Sequence, residues 1–519
     1  MVEYKVVIPS AGIGSRLSGR CDHINKTLVP VANKPIIAYI IDKFDPKIEI
    51  VIALGYKGDL IRQFLKLAYP ERKFTFIDID PYDGPNSGLG YTLLSCKHEL
   101  QCPFIFFTND AIVQEDIPLP DYNWLGYSHT PAGTDYRSVV LDPWDRDIAK
   151  GLCEKGANTE NGAYVGICGI KDYEYFWQLM EHEDARRLGE SYALGKMMDR
   201  SIKAKKFTWL DTGTTEAMEF ANNTLKSDGD PVILPKVNEC IWFCNNKVIK
   251  FSTDARSVGR KVTRATFLKG YVPTIVDSTD NMFCYNRVDG EIMSKAVTPI
   301  MFRRFLVWLE PLWESRPAIP EFEHKCLQFY KEKTKQRIDD YFRRFGYKDE
   351  EQIINDVRVP TTYCVLNNID WKNVVIGSPT RFHGDLHFEN ILCTPATDEF
   401  CLLDWREDFA GSLVVGDIYY DFAKLLHGFI ISHELINKNL YEITTQSDNL
   451  IKFDFLRKHS SLQLEADLRH YVMEKGYDWK KVKILTALIY LNIAALHHEP
   501  YCHLLFVLGK LLLHEETTE

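Results

Sequence analysis

At 519 residues the chain is too long for one ordinary hydrophobic core and suits two or three domains. Its 72 acidic side chains outnumber 62 basic ones, for a net charge of −10, which argues against a general nucleic-acid binder and requires any phosphate site to be a local cluster of cations. The 13 cysteines show no CxxC or paired Cys/His spacing, so reduced thiols in a cytoplasm are expected rather than disulfides or zinc.

The first elements alternate: VVIPSAG as a strand, PIIAYIIDKF as a helix, IEIVIALGY as a strand, DLIRQFLKLA as a helix. That rhythm predicts an α/β domain with a doubly wound, Rossmann-like parallel sheet and crossover helices. Ligands of such sheets sit at the carboxyl ends of the strands, where Gly12, Gly55 and Asp110 fall. The opening MVEYKVVIPSAG enters a strand directly, without the charged and apolar regions of a leader. After that strand comes a glycine-bearing turn, AGIGSR, whose backbone N–H groups can approach phosphates closely, with Arg16 and Lys26 adding positive charge for a triphosphate. The polar, Pro/Gly-bearing stretch LKSDGDPVILP after residue 224 reads as a hinge, with the boundary near Ser227.

Over roughly its first 225 residues the chain resembles the sugar-nucleotide pyrophosphorylase type of nucleotidyltransferase, on Gly12, Gly14, Ser15, Arg16, Leu17 and then Lys26, Leu28, Pro30, Val31, Lys34, Pro35. The resemblance implies an NTP held by Ala11, Gly12, Gly14 and Ser15, with Gly88 in the SGLG segment closing over the base. It makes Arg16 and Lys26 catalytic cations, Asp110 and Asp211 the metal ligands, and Glu154 and Lys155 in CEKGANTENGAYVGI the groups that bind the phosphorylated acceptor. Asn109 departs from the family's usual glycine.

In the second half, the strands IWFCNNKVIKF and NMFCYNRVDG are followed by long amphipathic segments, PIMFRRFLVWLEPLWES and KCLQFYKEKTKQRIDDYFRRF. Then comes RFHGDLHFENILCTPATDEFCLLDWRED, which orders an aspartate, an asparagine and a second aspartate as phosphoryl transfer to a small molecule needs them. In such a loop Asp385 would accept the proton of the substrate hydroxyl, Asn390 and Asp404 would hold magnesium, and His383 would brace the loop. The apolar run Phe400 to Leu403 reads as a buried strand delivering Asp404. These loops, and GDIYYDFAKLLHG after them, resemble the aminoglycoside phosphotransferase and choline kinase superfamily. That resemblance implies a two-lobed α+β protein-kinase-like fold, in which Asp421 supports the catalytic loop and Lys250 contacts the ATP phosphates. Asp417 reads equally as a helix N-cap. Two family features are missing: no glycine-rich loop precedes Lys250, and the helix SVGRKVTRATFLKG offers no glutamate to pair with it.

The expected organisation is a nucleotidyltransferase domain over 1–226 and a kinase-like domain over 232–519, with a small lobe near 232–295 and a helical lobe near 296–519. The expected activity is bifunctional: an alcohol (sugar, polyol or amino alcohol) is phosphorylated with ATP, then joined to a nucleotide from an NTP, CTP favoured, as a surface-polysaccharide precursor. Mg²⁺ is the expected cofactor. Nucleic acid and membrane are not expected partners, since the apolar stretch Ile484 to Leu496 is too short to span and carries Thr486 and Asn492; a homo-oligomer is left open. Trp405, Tyr419 and Tyr420 suit an aromatic wall for choline or, more readily, packing, and Arg406, Glu407 and Asp408 suit sugar hydroxyls or a solvated loop. Competing readings are an inactive regulatory kinase-like lobe, an antibiotic-modifying phosphotransferase, and a non-catalytic sugar-phosphate sensor or scaffold.

Overall fold

A computed structural model describes residues 3–17, 19–85, 87–129, 136–156, 162–227, 231, 233, 238–394, 399–447 and 449–518. The chain forms two compact units: residues 1–255 with 276–287, and residues 256–275 with 288–519. The expected hinge over 225–235 lies largely outside the described residues.

The first unit is built on a nine-stranded sheet. Lys5–Ser10 sits at its centre, parallel to Ile50–Leu54 on one side and to Phe104–Phe107 on the other, and Phe74–Asp78 extends it in parallel. Ala163–Ile170 adds antiparallel to Phe104–Phe107. The central strands are apolar on both faces because both are covered. Val6, Ile8, Ile50 and Ile52 face one core, shared with Ile37, Phe64 and Leu65 of the helices Ile36–Ile41 and Gly58–Ala68. Their neighbours Val7, Val51 and Ala53 face another, shared with Leu93, Phe176 and Trp177.

Residues beyond 226 complete the first core. Glu239–Cys244 and Lys247–Ser252 form an antiparallel hairpin, and Met282–Asn286 pairs with its second strand. Trp242 is fully buried, meets Phe64 edge-on at 5.3 Å between ring centres and donates its indole N–H to the Leu28 carbonyl at 2.9 Å. Ile249, Phe251, Met282 and Cys284 join the same cluster.

The second unit is mainly helical. Ile418–Ile430 and Trp479–Ala494 pack together, with Lys333–Phe345 and Tyr501–Thr518 against the latter. Phe322–Leu327 runs through a π-helical turn, Gln328–Glu332, into Lys333–Phe345. The hairpin Ile391–Thr394 with Glu399–Leu402 supports the two loops of the expected phosphoryl-transfer site. Among the described residues no helix is long and apolar enough to cross a membrane.

Candidate active sites in the two units

The turn after the central strand, and the end of the neighbouring strand Ile50–Leu54 beside it, each have a place that only glycine fits. Gly14 has φ +72°, and a Cβ there would lie 2.9 Å from Cys21 Sγ; a Cβ on Gly55 would lie 2.6 Å from the Ala11 carbonyl oxygen. Ala11 is buried, Gly12 and Ser15 are exposed at the turn, and Ile13, Gly14, Ser15, Cys21 and Tyr56 line a cavity beside it. Gly88, at φ +145°, precedes the helix Leu89–Cys96.

Asn25 ties the next turn to the sheet, donating to the Ser10 and Tyr56 carbonyls at 3.0 and 2.6 Å while accepting from Thr27 N–H. The buried Lys26 that follows places its Nζ 2.7 Å from Asp110 Oδ2, and Arg16 Nη2 lies 3.6 Å from the same oxygen. Thr108 donates to Asp110 Oδ1 at 2.7 Å. Strand pairing sets Asp211 opposite Ala111, the residue after Asp110, and Thr212 N–H donates to the Asp110 carbonyl at 2.8 Å. Asp211 accepts from Tyr136 OH and Gly213 N–H, both at 2.9 Å.

Burial pushes the Asp110 carboxyl up, but Lys26, Thr108 and Arg16 together hold it below its ordinary range. Asp211 is raised, first by burial and then by the charge of Asp110. Two hard oxygen donors under mutual repulsion are a set that a divalent cation relieves, so these residues fit Mg²⁺. Arg16, Lys26, Asp110 and Asp211 therefore come together. Glu154 and Lys155 are exposed; Glu154 pairs with Arg137, whose sequence neighbour Tyr136 holds Asp211.

In the second unit the loop around Asp385 is held from below by Asp421, fully buried on the helix Ile418–Ile430. Its carboxylate accepts from His383 N–H at 2.9 Å, Gly384 N–H at 2.7 Å and the Trp313 indole at 3.1 Å. Burial raises Asp421 to about 6 against the pull of these donors. His383 Nδ1 accepts from Asp385 N–H, so its Nε2 carries the proton toward the Leu403 carbonyl, 2.9 Å away. Burial keeps this ring neutral, at about 4. Asn390 donates to the carbonyl and carboxylate of Asp385 at 3.0 and 3.2 Å. Leu403 N–H donates to the Asn390 carbonyl at 2.7 Å, which ties the loop before Asp404 to Asn390. Asp404 adopts φ +54°, a left-handed conformation that costs a non-glycine residue energy and clusters at functional sites. One carboxylate, one amide oxygen and the nearby Asp385 form an oxygen donor set that also fits Mg²⁺.

Two lysines stand on these acids. Lys424, one turn beyond Asp421, is buried with Nζ 2.7 Å from Asp385 Oδ1. Burial raises the Asp385 carboxyl, yet Lys424 and then His387 carry it well below the usual range. Lys261, on the helix Ala255–Phe267 that lacks a glutamate, lies 3.2 Å from Asp404 Oδ1. The same helix pairs Arg260 with Asp408 and hydrogen-bonds the Phe382 carbonyl through the buried Arg264. Neither lysine was singled out by sequence, and the available signal was slight: a lysine three residues after the supporting aspartate, and a basic helix where an acid is usual.

Trp405, Tyr419 and Tyr420 are buried: the Trp405 indole donates to the Lys261 carbonyl at 2.8 Å and Tyr419 OH accepts from Asp478 N–H. They pack the domain and do not build an open aromatic wall. Asp417 does cap its helix, accepting weakly from Tyr419 N–H, and also takes bonds from Ser378 N–H and Tyr330 OH. Lys250 lies buried on the strand Lys247–Ser252 of the first unit, paired in register with Ile241 and Phe283.

Residues 309–440 match the Phosphotransferase enzyme family. The C-terminal half thus holds a phosphotransferase-family domain. The N-terminal half is similar to the bifunctional protein GlmU of Methanococcus vannielii, 30% identical over 47% of this chain and 60% of that protein. It is also similar to the bifunctional IPC transferase and DIPP synthase of Archaeoglobus fulgidus, 26% identical over 46% of this chain and 48% of that one. The chain spans less than two thirds of the length of either relative. A solved UDP-glucose pyrophosphorylase from Acinetobacter baumannii superposes with a TM-score of 0.36 at 18% identity, over 43% of this chain and 92% of that one. By sequence, then, a region similar to those bifunctional enzymes is joined to a phosphotransferase-family domain in one mixed α/β chain.

Proposed function

We propose that the chain is a bifunctional enzyme that phosphorylates a small alcohol with ATP and then transfers a nucleotidyl group to the phosphorylated product, releasing pyrophosphate. The carrying observation is that each half assembles its own oxygen-donor set next to its own cations: Asp110 and Asp211 with Lys26 and Arg16, Asp385, Asn390 and Asp404 with Lys424 and Lys261. Displacement at phosphorus asks the protein mainly for positioning and charge neutralisation.

In the kinase half Asp385 holds the acceptor hydroxyl and takes its proton, with Asp421 and His383 fixing the loop. Asn390 and Asp404 would hold Mg²⁺, which neutralises the triphosphate when bound. In the other half the turn Ala11 to Ser15 cradles the NTP with Gly88 over the base, Arg16 and Lys26 offset charge on the departing pyrophosphate, and Glu154 and Lys155 bind the acceptor. Asp110 and Asp211 would hold that site's Mg²⁺. Residues 1–226 carry the nucleotidyltransferase motifs and 232–519 the kinase motifs. CTP is favoured, on the resemblance to fused enzymes that make CDP-activated alcohols, and the setting is a cytoplasmic step supplying a surface polysaccharide.

The test is to incubate the protein with Mg²⁺, ATP and a panel of alcohols, then each NTP, and identify products by mass. A phosphorylated alcohol that appears without NTP, and an NDP-linked product that appears only with it, is the expected result. A second reading, a kinase-like lobe without catalysis, is favoured by the Lys261–Asp404 pair; absence of ATP binding by calorimetry would select it.

A further inference from the structure

The kinase half carries a group of cations that the reaction scheme above does not use. Arg406 lies against the catalytic loop: a Cβ on Gly384 would touch its Cβ at 2.7 Å and its Cδ at 3.2 Å. Its guanidinium sits 4.8 Å from the centre of the Phe329 ring, and Lys333 Nζ sits 4.5 Å from the centre of the same ring. Phe329 belongs to the π-helical turn Gln328–Glu332, and such turns re-aim side chains, often at functional sites. Lys333, Tyr330 and Tyr420 border a small cavity that Thr334 and Asn492 also line. Lys424 is next to this group, on Asp385.

The chemistry of this cluster is one-signed. Arg406 Nε is buried without a hydrogen-bond partner among the described residues. Lys333 is lowered to about 7, by burial first and then by repulsion from Arg406, Arg337 and Lys424. Glu407 acts against this charge, and the nearby Asp385 is already paired with Lys424. A surplus of partly buried positive charge beside the reacting carboxylate is costly in the ligand-free protein. It is inhospitable to a quaternary ammonium and suited to a group that brings negative charge and several hydrogen-bond acceptors.

We propose that the alcohol phosphorylated in this half is an anionic hydroxy compound, one that already carries a carboxylate or phosphate group, and that Arg406 and Lys333 bind that group. This rests on the kinase reading above and narrows its acceptor. The transfer itself balances as before: the acceptor oxygen forms the new bond to the γ-phosphorus, the bond to ADP breaks, and the hydroxyl proton passes to Asp385.

The experiment uses the full-length protein with Mg²⁺ and ATP and four probes of similar size: glycerate, glycerol 3-phosphate, glycerol and choline. Turnover with glycerate or glycerol 3-phosphate, or calorimetric binding of either in the presence of ADP and Mg²⁺, with neither from glycerol or choline, is expected, and the first two separate a carboxylate from a phosphate. Arg406→Gln and Lys333→Gln should each weaken the responding anion roughly tenfold to a hundredfold in KM or Kd, with kcat changed less than about threefold, the loss typical of one charge-assisted bond. Lys333→Arg should recover most of it. Turnover of glycerol or choline with kcat/KM equal to or above that of the anions overturns the proposal and leaves the kinase reading standing. So does ATP binding with no binding of either anion, or an unchanged KM or Kd in both glutamine variants. Failure of ATP itself to bind removes the kinase reading and this one with it.

Discussion

Asp421 offers the sharpest test of how the second unit builds its site, because it touches no reactant yet holds the loop that does. Replacing it by alanine strands three buried donors, the N–H groups of His383 and Gly384 and the Trp313 indole. At about 1–2 kcal/mol for each orphaned donor the loss is about 3–6 kcal/mol. Against this, a carboxyl raised from 3.8 to about 6 is a charge whose burial is uncompensated by about 3 kcal/mol at neutral pH, and alanine removes that too. The net destabilisation is therefore modest, about 0–3 kcal/mol, while the loop loses its anchor. A displacement of about 1 Å in such a loop costs about a hundredfold in rate. Asp421→Ala should thus lower kcat for ATP-dependent phosphorylation at least a hundredfold, with a much smaller shift in thermal unfolding and with nucleotidyl transfer to a ready-made phosphorylated acceptor unchanged. The pH dependence has a definite sign. A raised folded pKa means that Asp421 contributes its full stabilisation below the unfolded value near 4 and loses it as pH rises through about 6. Wild-type stability measured from pH 4 to 7 should carry that decline and the alanine variant should lack it. Kinase activity within threefold of wild type in Asp421→Ala would refute the argument, since the loop would then not depend on these bonds.

Asp110→Ala should abolish pyrophosphate release with kinase activity intact, and Lys26→Ala should lower turnover more than NTP affinity; near-normal pyrophosphate release from Asp110→Ala at saturating Mg²⁺ would mean the site lies elsewhere. Asp385→Asn should cut phosphorylation by orders of magnitude and leave ATP and Mg²⁺ binding largely in place, whereas Asp404→Asn should lose both, because an amide binds Mg²⁺ far less well than a carboxylate; calorimetry separates the two. Trp242→Ala should destabilise the first unit by about 3–5 kcal/mol, read as a lower denaturant midpoint. A fragment ending at 226 should fold poorly for the same reason, since it uncovers Phe64 and its neighbours; a monomeric 1–226 as stable as the full chain would contradict this packing.

Much of the frame was legible in the sequence because its signals are local. Strands such as Ile50–Leu54, apolar on both faces, declare a covered parallel sheet, and a strand that runs into Gly14 declares a turn that needs positive φ. The ordered spacing of Asp385, Asn390 and Asp404 declares a site because few other purposes require that set. What stayed hidden depends on which distant side chain arrives at a given place. Periodicity says that Trp242 is buried, but not that it closes on Phe64, 178 positions earlier. Lys424 sits on a helix whose residues are nearly all buried, so no amphipathic stripe marks it, and its purpose is visible only once Asp385 is found 2.7 Å away. Tyr136 on Asp211 is equally silent in sequence, with 75 positions between them.

The missing glutamate shows how a departure from a family pattern acquires physical content. In sequence it is an absence. In the structure the same helix supplies the opposite charge, with Lys261 on Asp404, Arg260 on Asp408 and Arg264 on the Phe382 carbonyl. Partly buried carboxylates gathered to hold a cation repel one another and must be offset when that cation is elsewhere. A lysine does this with a flexible stem and a point charge that can leave, which a rigid bidentate arginine pair does less readily. Lys26 stands in the same relation to Asp110 in the first unit. In each unit, then, an acid of the set is kept company by a lysine within 3.2 Å. The helix that lacks its glutamate is therefore a reversal of sign at the site rather than a loss from it.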